Sequence, residues 1–531
     1  MRLDKHILSV ILLVAALAYT LWFVFAGMGN LQDPLYWLHK YEQLEGGWMA
    51  VGTLLTGGLV VKWFGAELLP LRLVGWLCVV TAIGLPYCTL LTREQRRANL
   101  HWLALAYVLM GYGAFQEFSP GTLSVLLLSA LWVNATKPSR FDLSNNRASK
   151  GLRTLNSQLS AVLLGLAVSV RFPNILALLV LIPLWRKRSL WNIPIAALTA
   201  GCVYLIGWWL VMPAPMDAAM TSHTLWNMCA KLWENGGKLL GYGLMGIGVL
   251  ACSQLWRGKP WISGSLIGLA VGYFIACAMS PTQWYNTDMT YLVSALCLVV
   301  ALATKQKRLY IGAALMAVAA LGTDTAWLKL FPAALCLLPV AAVYFSEDGR
   351  RYLWTALAVV SIIVAIRMTT NSVGKTNLTK VQTITSVAPY KGIAIRDVEE
   401  EYMERIKADY DSLQDQRPIL AVGTNLHLMR ALTGCEAARY NEFWSNIFDS
   451  VYTAKYQPII EQEQPIVFCF FSPQFKTKPT YRNRQSAFEN MLRDEGYEEI
   501  DRSRYKYMIY VPSERMRVEW TNYQRLTTND Q

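Results

Sequence analysis

Three ionisable residues stand in settings where chemistry is one of two readings. Asp33 directly precedes Pro34. That pair starts a helix with the aspartate as N-cap, or it holds a catalytic or metal-binding carboxylate just above a bilayer. Glu117 lies in Gln116-Glu117-Phe118-Ser119-Pro120-Gly121-Thr122, between two apolar runs. It is either a solvated loop charge or a second acid. Arg171 lies in Val168-Ser169-Val170-Arg171-Phe172-Pro173-Asn174. A charge embedded in an apolar hairpin is costly and usually has a partner. A lipid phosphate suits a guanidinium, and snorkelling to the interface is the alternative.

Three further segments combine acids, amides, cations and aromatics: His223, Trp226 and Lys231; Gln283-Trp284-Tyr285-Asn286-Thr287-Asp288; and Gly322 to Lys329, with Asp324 and Trp327. Aromatics at such places can form no more than an interfacial belt. Their recurrence beside acids and amides also suits a polar ligand, since sugars are bound by flat apolar faces together with hydrogen-bonding side chains.

The elements that must position these residues are membrane spans. Of 531 residues, 16% are charged and 54% hydrophobic. This excludes a disordered chain and argues against a wholly soluble one. Up to Met368 the chain is a series of apolar segments, and about 20 apolar residues cross ~30 Å of hydrocarbon as a helix. We read about thirteen spans, roughly 6–27, 68–91, 99–116, 120–134, 157–171, 174–185, 190–211, 238–256, 261–280, 286–303, 309–322, 328–345 and 352–368. The first is read as a retained span rather than a signal peptide. The stretch 49–64, with Gly52, Gly57, Gly58 and Lys62, is expected to lie along the interface. The chain then reads as residues 1–368, a transmembrane domain with a loop at 29–65, followed by residues 369–531, a hydrophilic domain.

Sidedness follows from the placement of Lys and Arg. With the N-terminus in the cytoplasm and 49–64 outside the bilayer, the cytoplasmic segments hold 20 basic residues and the outer membrane loops and span edges hold far fewer. Letting 49–64 span would invert the bias. The net charge of +13 is thereby an orientation signal, not a nucleic-acid footprint, and the C-terminal domain is expected outside, in the periplasm of a two-membrane bacterium.

The arrangement resembles the GT-C superfamily of polytopic membrane glycosyltransferases. It is most similar to transferases dependent on lipid-phosphate sugars, of the aminoarabinose transferase and protein mannosyltransferase kind. The likeness starts at Asp33, where that family keeps an acidic residue or pair. It continues through Tyr36 to Trp48, then Lys62-Trp63-Phe64-Gly65 and Leu68-Leu69-Pro70-Leu71-Arg72-Leu73. Glu117 matches the second acidic position, and Arg171-Phe172-Pro173-Asn174 matches a basic turn of the family. One departure is Gln32-Asp33 where many relatives carry two acids.

The resemblance implies a helical membrane protein of about 13 transmembrane helices with an outer C-terminal α/β domain. It also implies transfer of a sugar from a polyprenyl-phosphate donor to a glycan, lipid or protein acceptor. Asp33 and Glu117 are then the catalytic carboxylates. Arg171 is the candidate for the lipid phosphate, and Lys62, Tyr36, His223, Asp324 and Lys329 are candidates for substrate binding. The phosphate charge calls for Arg, Lys or a divalent metal, Mg or Mn, a choice left open; no other cofactor is implied. The rival is a transporter of a polar or lipid-linked solute. Against it stand the lack of an internal repeat and the location of ionisable residues at span ends rather than at the midplane.

In residues 379–531, strands are expected at 382–387, 392–395, 418–422, 465–471, 497–501 and 505–511, and helices at 397–413, 425–433 and 484–495, an α/β layer pattern. Most of the ten cysteines sit in apolar runs, as small hydrophobes do, with no metal-binding spacing.

Overall fold

A computed structural model of the chain describes residues 5–27, 33–46, 50–110, 118–136, 147–185, 191–213, 284–321, 326–344, 378–413, 417–422, 426–438, 450–470, 479–503 and 507–513, with single positions or short runs between 233 and 369. The chain divides into two compact units. One comprises residues 1–29, 40–214 and 224–381, and the other 30–39, 215–223 and 382–531.

The first unit is helical. Its described helices begin with α1 (Lys5–Phe25), α2 (Asp33–Gln43), α3 (Val51–Phe64) and α4 (Leu68–Leu90); the first residues of α2 belong to the second unit. They continue with α5 (Arg93–Ala98), α6 (Leu100–Met110), α7 (Pro120–Thr136), α8 (Arg147–Val170), α9 (Asn192–Leu210), α10 (Trp284–Ala303), α11 (Lys307–Val318) and α12 (Ala326–Leu335). Among them α1, α4 and α9 are long and apolar enough to cross a membrane, and shorter apolar helices accompany them. The chain is a helical membrane protein. The expected spans 238–256, 261–280 and 352–368 lie mostly outside the described residues.

Two expected spans are not continuous helices. Residues 172–184 form 3₁₀ turns at Phe172–Ala177 and Ile182–Leu184 around one α-turn. After α12 the chain continues as a short helix, Leu338–Ala341, and a 3₁₀ turn. Pro173, Pro183 and Pro339 each stand near the start of one of these segments. Proline removes a backbone donor and resists a continuing helix. The span expected at 157–171 begins ten residues earlier, at Arg147, because its first turns are polar.

Small residues let these helices approach closely. A Cβ at Gly165 of α8 would stand 2.5 Å from the Ala196 carbonyl oxygen of α9. The helix α3 is packed along most of its length rather than lying free on a surface. Val51 to Leu54, Gly57, Gly58, Val60 and Val61 are buried, and the final Lys62-Trp63-Phe64 is exposed. The core includes Trp102 and Trp132, both 0% exposed.

The second unit holds a four-stranded sheet. Naming β1 (Glu45–Gly46) and β2 (Met212–Pro213) of the first unit and the small hairpin β3 (Thr383–Ile384) and β4 (Ala394–Ile395), the sheet contains β5 (Ile419–Val422), β6 (Ile466–Phe470), β7 (Tyr497–Arg502) and β8 (Tyr507–Pro512), in the order β5-β6-β8-β7. The β5–β6 pair is parallel and the other two are antiparallel. Every residue of β5, β6 and β8 is buried, so these strands read as continuous apolar runs. The helices are α13 (Asp397–Leu413), α14 (Leu426–Thr433), α15 (Ser450–Glu463) and α16 (Pro479–Asp494). Asp397, Glu399 and Glu400 in the first turn of α13 complement its dipole. The described cysteines are all free thiols, Cys435 and Cys469 among them.

Candidate active site

The turn before α7 is the meeting point of the membrane unit. The Phe118 N–H donates to the Leu71 carbonyl of α4 at 3.0 Å. The Phe118 carbonyl accepts the Tyr41 hydroxyl, from the end of α2, at 2.9 Å. Within the turn, the Ser119 N–H donates to the Thr122 hydroxyl oxygen at 3.0 Å. A hydroxyl capping the first donors of a helix fixes its entry, and Pro120 at the first helical position is pre-set for it.

Gly121 opens the space in which Lys329 of α12 lies. A Cβ there would sit 2.6 Å from Lys329 Cδ and 3.0 Å from Nζ. The Lys329 side chain is half-buried, and its ammonium makes no hydrogen bond or ion pair with the described residues. An aliphatic stem crossing a glycine at a helix start with an uncommitted cation at its end suits an anionic ligand.

Arg171 has a different setting. Its side chain is 8% exposed. Nη1 donates to the Ala319 carbonyl at 2.6 Å, and Nη2 donates to the Leu321 carbonyl. The turn that carries it is tied down on several sides. Thr53 of α3 donates to the Val170 carbonyl at 3.1 Å. Ser124 of α7 donates to Asn174 Oδ1 at 3.0 Å, and Asn174 Nδ2 donates to the Ala167 carbonyl of α8 at 2.8 Å. A second buried guanidinium, Arg72 of α4, is 1% exposed and donates from Nη1 to the Gly27 carbonyl beyond the end of α1, at 2.8 Å.

Of the other sequence candidates, the side chains of Lys62 and Tyr36 are described and the rest lie outside the described residues. Lys62, on the last turn of α3, is exposed. Tyr36, on α2, belongs to the second unit, where its ring packs edge-on against His427 of α14 with centroids 5.3 Å apart. His39 lies 6.1 Å from the same imidazole. Asp33 opens α2, as its place before Pro34 suggested, but its side chain, like Glu117, His223 and Asp324, lies outside the described residues. Thus Lys329 meets Gly121, four residues after Glu117, while Arg171 meets the Leu321 backbone, three residues before Asp324. Tyr41, Gly121, Arg72 and His427 were not singled out from the sequence. Their partners lie far along the chain, and only Gly121, beside Pro120 at a helix start, had a local signal.

Among the described residues no group of three or more His, Cys, Asp or Glu side chains could hold a metal ion. The second unit contains a cleft of about 420 Å³ lined in part by Glu404, Lys407 and Asp411 of α13 and by Ser386. Its best-connected ionisable group is instead Asp409, 3% exposed. Burial opposes its charge, but hydrogen bonds from Arg502 and Tyr507 and the charges of Arg502 and Arg405 outweigh that and hold the carboxyl below its ordinary range. Burial, then the bond to Asp409, pushes the Tyr507 phenol up. This is a structural ion network in form: Arg502 Nε at 2.8 Å, Arg405 Nη2 at 2.9 Å and Tyr507 OH at 2.7 Å close around one carboxylate.

No family model and no curated protein matches the chain. Solved structures do. The Archaeoglobus fulgidus oligosaccharyltransferase, tethered with an acceptor peptide containing the NVT sequon, is similar over 96% of this chain and 74% of its own, at 10% identity and a TM-score of 0.50. ArnT from Cupriavidus metallidurans, bound to undecaprenyl phosphate, is similar over 96% of this chain and 98% of its own, at 10% identity and a TM-score of 0.42. At such identity the likeness is one of fold, and it rests on the first of the two. The chain shares its fold with that oligosaccharyltransferase structure.

Proposed function

We propose that the chain is a GT-C glycosyltransferase that moves a sugar from a polyprenyl-phosphate donor to a glycan, lipid or protein acceptor at the outer face of a bacterial inner membrane. In this reading about thirteen helices span the bilayer, the N-terminus is cytoplasmic, and the C-terminal α/β domain is periplasmic. The observation that carries the proposal is the convergence at the Phe118 turn. Tyr41, from the end of the first loop helix, binds the Phe118 carbonyl, and Lys329, whose ammonium is uncommitted among the described residues, lies against Gly121 in the first turn of α7. The solved protein that shares this fold is tethered with an acceptor peptide, which supports transfer to an acceptor.

The chemistry asked of these residues is a displacement at the anomeric carbon. An acceptor hydroxyl oxygen forms the new bond to that carbon. The bond from carbon to phosphate oxygen breaks, and the lipid phosphate leaves with the electron pair. The hydroxyl proton passes to a carboxylate acting as general base, for which Asp33 is the first candidate and Glu117 the second. We assign Lys329 to stabilise the leaving phosphate, a task worth most where charge develops in a water-poor site, with Lys62 and His223 as further donors. Tyr36 and Asp324 are assigned to substrate binding.

The test is turnover of a labelled polyprenyl-phosphate sugar by membranes carrying Asp33→Asn. Loss of a positioned general base costs about 10²- to 10⁴-fold. Wild-type turnover in the variant would overturn the assignment. Uptake of solute into proteoliposomes without sugar transfer would place the protein among transporters instead.

A further inference from the structure

The guanidinium of Arg171 is occupied by backbone rather than left open to a ligand, and its two acceptors belong to a helix end. Helix α11 stops at Val318, and the chain tightens into three-residue turns. Ala319 N–H donates to Met316 at 3.1 Å, Ala320 N–H to Ala317 at 3.1 Å, and Leu321 N–H to Val318 at 3.0 Å. A helix C-terminus leaves its last carbonyls without partners inside the helix, and it attracts a cation through the helix dipole. Arg171 supplies both needs, with Nη1 on Ala319 and Nη2 on Leu321. A planar fork can reach two carbonyls at once, which an ammonium cannot do in the same geometry.

The base of this clamp is itself fixed. The Arg171 N–H donates to the Ala167 carbonyl at 3.0 Å, and the Arg171 carbonyl accepts the Asn174 N–H at 2.9 Å. The Thr53 and Ser124 bonds described above tie the same turn to α3 and α7. Two of the five N–H donors of the guanidinium are held by these carbonyls, and a phosphate would have to reach the others in a setting that is 8% exposed.

We propose that Arg171 is a positioning residue. It locks the end of α11 against the α8 turn, and so sets the point from which the chain runs on to Asp324 and Lys329; it does not bind the donor phosphate. The inference rests on the proposed transfer reaction only for what Asp324 and Lys329 do there.

The experiment is hydrogen–deuterium exchange on the full chain in nanodiscs, paired with undecaprenyl phosphate binding by native mass spectrometry, for wild type, Arg171→Gln and Arg171→Lys. In Arg171→Gln the amides of Ala319 to Leu321 should exchange at least about tenfold faster, since an opening of that size costs only about 1.4 kcal/mol less. Exchange in α4 should hold, Arg171→Lys should recover part of the protection, and affinity for the lipid should stay within about threefold. Unchanged exchange at 319–321 would overturn the clamp. So would a larger loss of lipid affinity, which would make the guanidinium a phosphate ligand, or faster exchange throughout the membrane unit in both variants, which would make Arg171 a residue of general stability. A wild-type chain that ignores the lipid would refute the proposed donor, while the exchange measurement would still decide the clamp.

Discussion

Gly121→Ala probes the proposed site through a single methyl group. The new Cβ would stand 2.6 Å from Lys329 Cδ, where ordinary contact begins at 3.4 Å. The lysine stem must therefore retreat by about 0.8 Å or more. The atoms in the way belong to that side chain and not to backbone, so the strain is relieved by moving the ammonium. A displacement of about 1 Å in a positioned group can cost on the order of 100-fold in rate. Losing one charged hydrogen bond costs about 1.5–3 kcal/mol, which is a factor of roughly 10 to 150. We expect Gly121→Ala to lower turnover of the lipid-linked sugar by 10- to 100-fold with the protein still folded and inserted. Lys329→Gln should cost about the same. In a double-mutant cycle the two losses should not add, because both remove one interaction. Additive losses, or full activity in Gly121→Ala, would show that Lys329 is not the group through which Gly121 acts and would remove it from the site.

Two further substitutions test the packing of each unit. Gly312→Ala of α11 would place a Cβ 2.4 Å from Cε2 of Trp132, which is fully buried and donates from Nε1 to the Arg308 carbonyl at 2.8 Å. Overpacking of this kind costs about 1–3 kcal/mol, so the thermal midpoint of the purified protein should fall, and an unchanged midpoint would refute the contact. Asp409→Asn should cost about 1–3 kcal/mol. That is less than the loss of a fully buried pair, because Arg405 and Arg502 keep 37% and 28% of their side chains exposed. Asp409 is held below its ordinary carboxyl range in the folded state, so its contribution is full above about pH 4 to 5 and fades as pH falls further. The difference in thermal midpoint between wild type and Asp409→Asn should accordingly be constant near neutrality and shrink in acid. A difference that grew in acid would refute the sign.

Where one pattern of apolar residues dominated, the chain could be read directly. The helices α1, α4 and α9 lie within a few residues of the expected spans, and all six strands of the C-terminal part fall on expected segments. Asp33-Pro34 marked the start of α2 correctly, since that signal is local. The helix α15 went unread because Pro458 sits inside it and its residues carry little apolar periodicity. Segments 174–185 and 328–345 read as spans by hydropathy, which does not register what their prolines do to the hydrogen-bond ladder. The site was legible only as a list of unusual charges. Nothing in the neighbourhood of Arg171 along the chain names Ala319 and Leu321, and nothing near Tyr41 names Phe118, 77 residues away. Charge and hydropathy give the side on which a residue lies, whereas backbone acceptors carry no mark in the sequence.

The distance along the chain between Arg171 and its acceptors has a consequence for biogenesis. Arg72 finds Gly27 already made, 45 residues behind it. Arg171 must wait for Ala319 and Leu321, which follow it by 148 and 150 residues. At about 5–20 residues per second, its guanidinium is in place for roughly 7 to 30 s before its partners are synthesised. During that interval the α8 hairpin carries an uncompensated charge at the edge of an apolar segment. The clamp can close only once the end of α11 has been made, which puts its closing late in assembly.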